Sequence, residues 1–198
     1  MASAAEARAR LCDPAHEVSA HWLIAEDGGV EQLVDERLRA WHAGAGAWGA
    51  VGDVNSRSIG IELANSGAQP FAEPQIAALE RLLAGIMARW GISPERVIGH
   101  SDMAPARKSD PGRRFDWRRL SHGGLSVWPR VTEGRSGGRL SDFVGHARRF
   151  GYPAVEEELI LRAFRLRFRP WADGPLDGMD VAMAADLATR FPVDVGTT

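Results

Sequence analysis

The chain has 198 residues, enough for one domain of ordinary size or for a domain of about 140 residues with a small added module. With 44% apolar residues, 25% charged residues and a formal net charge of −2, its make-up is that of an ordinary globular protein, with no electrostatic bias toward nucleic acid or an anionic membrane. Cys12 is the only cysteine, which excludes internal disulfides and cysteine-based zinc motifs and is compatible with the cytoplasm; no apolar run reaches the roughly 18 to 20 residues that span a bilayer, and MASAAEARARLCDPAHE lacks the apolar centre of a secretory signal.

Residues 2–11 are rich in Ala and Arg and favour a helix, which Asp13-Pro14 ends. VSAHWLIA (18–25) is a β-type run. Asp27-Gly28-Gly29 is a turn signal, and VEQLV (30–34) alternates after it, so the three together predict a β-hairpin. Trp41 to Asn55 is rich in Gly, Ala and Trp and reads as an ordered loop. SIGIEL (58–63) predicts a short strand with Ile59, Ile61 and Leu63 on one face and Glu62 on the other.

The clearest helix runs from Glu73 to Trp90. Ile76, Leu79, Leu82, Leu83, Ile86, Met87 and Trp90 form one apolar stripe, and Gly91 stops it. Val97-Ile98 predicts a short strand. Strands alternating with helices predict an α/β or α+β domain, a mixed central sheet flanked by helices. Residues 121–139, which include GRSGGR, read as a linker. Three helices follow: 140–150 with Ser141 as N-cap, 156–168, and 180–191, the last two separated by DGPLDG (173–178). They form too small a core to stand alone, so they are expected to pack on the main domain or to bind something. The division expected is 1–120, a linker at 121–139, and a three-helix module at 140–198.

Chemistry concentrates in GHSDMAPARKSDPG (99–112). His100 is expected to follow a strand directly, and Asp110 lies ten residues on, beside Pro111. A neutral imidazole and a carboxylate are both zinc donors, and a catalytic zinc site commonly takes three protein ligands plus water. The same spacing also suits a loop histidine hydrogen-bonded to a carboxylate. Lys108 could stabilise an oxyanion beside such a metal, or lie on the surface. Glu62 either points to solvent or points into a cleft and serves proton transfer. Trp41-His42-Ala43-Gly44 suits either a ligand groove or a packed Trp with a structural His. His16, His122 and His146 have no such context.

Taken in order, SAHWLI, AWHAG, N-x-x-SIGIEL, GHSDMAPARKSDPG and FDW resemble the zinc-dependent N-acetylmuramoyl-L-alanine amidases of the type-2 amidase family, over about residues 1–120. GYP (151–153), LRAFRLRFRP (161–170) and the DG turn are similar to the small peptidoglycan-binding module appended to some of these enzymes. The resemblance implies Zn2+ as cofactor, with His100 and Asp110 as two ligands, Glu62 as general base and Lys108 as oxyanion partner. It implies a cleft floor with Trp41, His42 and Asn55, and Arg107 pairing with a peptide carboxylate. The implied reaction is hydrolysis of the amide between N-acetylmuramic acid and L-alanine in peptidoglycan or muropeptides.

One departure stands out. The family's third ligand is a histidine at the end of its first strand, in a pattern like I-V-x-H-Y-T-G-M, whereas MASAAEARARLCDP resembles the segment after that strand. The expectation is that the first strand and third ligand are absent through a late start codon or a truncated gene, which the upstream codons would test. His21 is the one candidate substitute. Two ligands hold zinc less well than three, so a weak amidase is expected of the chain as written. The competing reading is a non-catalytic muropeptide-binding protein. The expected compartment is the cytoplasm, or the periplasm or envelope if an export signal lies upstream of Met1.

Overall fold

The computed structural model describes residues 3–131 and 139–193, which form two compact units. Residues 3–45 with 53–93 make the first; residues 46–52 with the described part of 94–193 make the second. Among the described residues the fold is α+β, with one three-stranded mixed sheet and seven α-helices. No described helix is long and apolar enough to cross a membrane.

In the first unit, helix α1 (Ala4–Cys12) starts at Ser3, whose hydroxyl accepts the Glu6 amide at 3.2 Å. Strands β1 (Trp22–Ile24), β2 (Val30–Gln32) and β3 (Ile61–Leu63) stand in the order β2-β1-β3. β1 and β2 form the antiparallel hairpin expected from Asp27-Gly28-Gly29, with Gly28 at φ 88° and the Asp27 carboxylate accepting the Gly29 amide. β3 runs parallel to β1 and pairs Leu23 with Glu62.

The strands are shorter than the β-type runs that contain them. Ser19 donates its amide to Trp41 O, which takes the start of VSAHWLIA out of the ladder. Gly60 spends its amide on the His21 ring and its carbonyl on the amides of His21 and Trp22, so regular pairing begins after it.

Helix α2 (Glu73–Trp90) packs Ile76, Leu79, Leu83 and Ile86 into the core and closes at Gly91, φ 64°. The stripe frays at its end: Trp90 is 46% exposed and donates its indole N–H to Glu36. Gln75 is fully buried, and its amide nitrogen bridges the Ile24 and Ala64 carbonyls where the two parallel strands end.

In the second unit, a 3₁₀ turn (Pro94–Arg96) leads through Val97-Ile98 to α3 (His100–Met103). Val97-Ile98 is not a strand: it has no ladder partner, and the Val97 carbonyl is taken by the side chain of Arg167. His100 therefore opens a helix rather than following a strand. The remaining helices are α4 (Trp117–His122), α5 (Leu140–Phe150), α6 (Glu157–Phe168) and α7 (Gly178–Arg190). An aromatic core joins α5 and α6 to Trp48 and Tyr152, with Phe143, Phe150, Phe164 and Phe168 among its rings, in mostly edge-to-face contacts of 4.9 to 6.3 Å. Residues 46–52 belong here because Ala47 N donates to Met103 O and Gly49 N to Gly151 O.

Three expectations change. The helix cap before α5 is Arg139, not Ser141. Residues 121–131 are not an exposed linker, because Leu125, Val127 and Pro129 are buried; residues 132–138 lie outside the described residues. The compact units also cut the chain elsewhere than 120 and 140: α5 to α7 share a unit with the GHSDMAPARKSDPG segment.

Candidate active site

The eight residues singled out in the sequence fall four to each unit: Trp41, His42, Asn55 and Glu62 in the first, His100, Arg107, Lys108 and Asp110 in the second.

In the second unit the segment folds back on itself. Ser101 N donates to Asp110 O at 2.9 Å, and the amides of Arg107 and Lys108 both donate to Ala104 O at 2.9 Å, which closes the loop. Gly99 is required here: a Cβ would lie 2.6 Å from Pro111 Cδ and 3.3 Å from the Trp117 ring. The result brings the side chains of His100 and Asp110 together, Nδ1 to Oδ2 at 2.5 Å. His100 is 24% exposed and Asp110 55%, so the pair is open to ligands.

Burial pushes the Asp110 carboxyl up, but the hydrogen bond from His100 and the charges of His100 and Lys108 outweigh it and hold it below the usual carboxylate range. The carboxylate is thus ionised at neutral pH, with the Lys108 charge acting on it.

As a metal site, the donor set is an imidazole nitrogen and a carboxylate oxygen, both zinc donors, already adjacent and accessible. They fit two ligand positions. Among the described residues no group of three or more His, Cys, Asp or Glu is placed to hold a metal ion.

In the first unit Glu62 sits mid-strand in β3, half-buried. Asn55 is nearly buried, and its Oδ1 accepts the amides of His42 and Ala43 at 3.0 and 2.8 Å. It thereby fixes the loop carrying Trp41 and His42. Trp41 is 56% exposed, with the Arg39 guanidinium 4.5 Å above its ring. The His42 ring packs on Gly60, where a Cβ would lie 2.3 Å from it, and meets the His21 ring edge-to-face at 5.5 Å.

His21 is not a substitute metal donor. It is buried, its Nδ1 accepts the Gly60 amide at 2.9 Å, and its Nε2 meets Leu38 O at 3.0 Å. An amide can only donate and a carbonyl only accept, so Nε2 carries the proton and both nitrogens are spent.

Sequence reasoning missed the group beneath the His100 loop. Asp102, inside the motif, is fully buried between Tyr152 and Arg167. A signal was present. Ile160, Ala163, Phe164, Arg167 and Phe168 fall on one helical stripe, which places an arginine on a buried face.

The family model described as N-acetylmuramoyl-L-alanine amidase matches residues 1–113. The chain belongs to this family. It is 35% identical over 210 residues to N-acetylmuramoyl-L-alanine amidase AmiD of Escherichia coli, covering 90% of this chain and 76% of that protein. It is 44% identical over 103 residues to 1,6-anhydro-N-acetylmuramyl-L-alanine amidase AmpD of Haemophilus influenzae, covering 52% and 56%. Among solved structures, E. coli AmiD in complex with anhydro-N-acetylmuramic acid-L-Ala-D-γ-Glu-L-Lys matches with a TM-score of 0.87 at 32% identity, over 94% of this chain and 84% of that one. AmpDh3 of Pseudomonas aeruginosa in complex with anhydromuramic pentapeptide matches with a TM-score of 0.81 at 30% identity, over 96% and 88%. The α+β fold expected from the sequence is the fold of these amidases, and the chain is a hydrolase of this class rather than a binding protein alone.

Proposed function

We propose that the chain hydrolyses the amide between the lactyl group of N-acetylmuramic acid and L-alanine, in muropeptides that include the 1,6-anhydro form. The observation that carries this reading is the adjacent, accessible His100–Asp110 pair with the charge of Lys108 beside it. The anhydro form is favoured because similar amidases are known in complex with anhydromuramyl peptides.

His100 and Asp110 would hold zinc through imidazole nitrogen and carboxylate oxygen. Bound zinc supplies a water of lowered pKa and a polarised scissile carbonyl. Glu62 accepts the proton of the attacking water and returns it to the leaving amine. Lys108 holds the developing oxyanion. Trp41 and His42 form the cleft floor, Asn55 keeps their loop in place, and Arg107 pairs with a stem-peptide carboxylate.

The test is release of stem peptide from 1,6-anhydro-muropeptide and from murein, with and without added zinc. Release is expected with zinc and should be lost in His100→Ala; binding without release would overturn the catalytic reading. Lys108→Met is expected to lower kcat roughly 10²- to 10³-fold while leaving the unfolding free energy from urea titration within about 0.5 kcal/mol of the parent, as for a substitution outside the core. A kcat unchanged in Lys108→Met removes the lysine from the mechanism.

A further inference from the structure

Arg167 is a fully buried cation on α6, and two of its three polar partners, Val97 and Asp102, flank His100. Its Nη1 donates to Asp102 Oδ2 at 2.8 Å, and its Nη2 donates to Val97 O at 2.9 Å and Ser126 Oγ at 3.2 Å. Val97 and Asp102 bracket His100 in the chain, three residues before it and two after.

Asp102 passes the restraint on. Its Oδ2 also accepts the Gly99 amide at 2.9 Å, and its Oδ1 accepts the Tyr152 hydroxyl at 2.7 Å. The Arg167 guanidinium lies 4.3 Å from the centre of the Trp117 ring. That ring in turn lies against Gly99, which is also close to Pro111, the neighbour of Asp110. Both members of the His100–Asp110 pair are therefore braced from beneath by one side chain.

Stability alone does not account for this arrangement. A buried ion pair costs desolvation that well-packed apolar residues would avoid, and Arg167 Nε has no acceptor among the described residues. What the guanidinium provides is direction, since a planar fork can hold a carbonyl, a hydroxyl and a carboxylate at fixed angles.

We infer that Arg167 is a positioning residue of the active site: α6 sets the placement of His100 and Asp110 through Asp102, Val97 and Trp117. The helices beyond residue 140 are then part of the catalytic apparatus and not only an appended module. This rests on the reading of His100 and Asp110 as the metal pair.

The same helix supplies the control. Arg165 is also buried and paired, to Asp180 at 2.5 Å, and its remaining bonds go to Gly174 O and Pro175 O, not to the His100 loop. Arg167→Met and Arg165→Met, each in the full chain, remove comparable buried cations from one helix. Three quantities are compared: the ring N–H resonance of His100 in metal-free protein, the zinc affinity by chelator competition, and kcat against KM.

Arg167→Met is expected to displace or abolish the His100 resonance. It should also lower zinc affinity about 10- to 100-fold, as removal of supports behind metal ligands does, and reduce kcat more than KM changes. Arg165→Met should lower stability without these effects. If Arg167→Met does not fold, Arg167→Lys keeps the charge for Asp102 but loses the fork, and should still shift the resonance and weaken zinc binding. Equal behaviour of the two methionine variants, or an Arg167→Lys protein identical to the parent, overturns the inference. If the resonance moves but His100→Ala leaves zinc affinity unchanged, the bracing stands and the metal reading fails instead.

Discussion

Two buried polar clusters support the two sets of site residues, and they are built from opposite materials. In the first unit, His21 spends its ring on Gly60 and Leu38 while Asn55 holds the amides of His42 and Ala43. Every one of these partners is a backbone group. In the second unit an ion pair, Asp102–Arg167, is completed by Tyr152, whose phenol is pushed well above its usual range by burial and the adjacent Asp102 charge despite Arg167, and so stays a donor. A neutral network lets one side chain satisfy its neighbours, and each hydrogen bond is worth about 1 kcal/mol. A buried charge must find its opposite, and here the opposite lies 65 residues away. The neutral cluster fixes a loop to its own strands; the charged cluster fixes a loop to another helix.

The largest effect should come from breaking the charged cluster. Asp102→Ala leaves Arg167 buried and uncompensated and is expected to cost about 3–5 kcal/mol, read from urea unfolding. Adding Arg167→Met to it should recover a large part of that loss, since the orphaned charge is gone. A cost below about 1 kcal/mol for Asp102→Ala would mean that the pair is not desolvated as described. The neutral cluster should respond more weakly. His21→Phe keeps a ring but leaves the Gly60 amide and the Leu38 carbonyl unpaired, at about 1–3 kcal/mol. Amide exchange should then accelerate at Gly60 while Ser101, in the other unit, is unaffected. If His21→Phe proves the costlier of the two, the contrast between the clusters is reversed.

The sequence makes the two clusters unequally legible, and for physical reasons. Helix α2, the hairpin turn at Asp27–Gly29 and α5 to α7 follow from periodicity and turn chemistry, which are local. The strands shorten because Ser19 and Gly60 divert their backbone groups to partners far along the chain, which no window of residues reveals. The adjacency of His100 and Asp110 follows from a loop closed by local bonds, so its motif could be read directly. Val97-Ile98 has strand composition, but among the described residues it pairs with no strand, and Arg167 takes the Val97 carbonyl. Arg167 was visible only as an arginine on an apolar stripe, and its partner could not be chosen among the carboxylates by spacing. Charge pairing over long separations is the information that composition and period do not carry.

The smallest expected effect concerns a largely buried carboxylate of the first unit. Glu36 has a side chain 9% exposed, and Arg89, Trp90 and Trp22 all donate to it. The bond from Arg89 lowers its pKa most; burial opposes, and the two indoles add to the lowering. With the folded value below the unfolded one of about 4.3, the unfolded chain binds more protons in the window between them. Stability therefore rises with pH across that window, is fully present above the unfolded value and is lost as pH falls through the folded one. Glu36→Gln cannot titrate, so it should be less stable than the parent at pH 7 and should lose less on acidification below pH 5. Urea midpoints for the two proteins across that range decide it. Parallel acid limbs would show that the acid sensitivity lies elsewhere than Glu36.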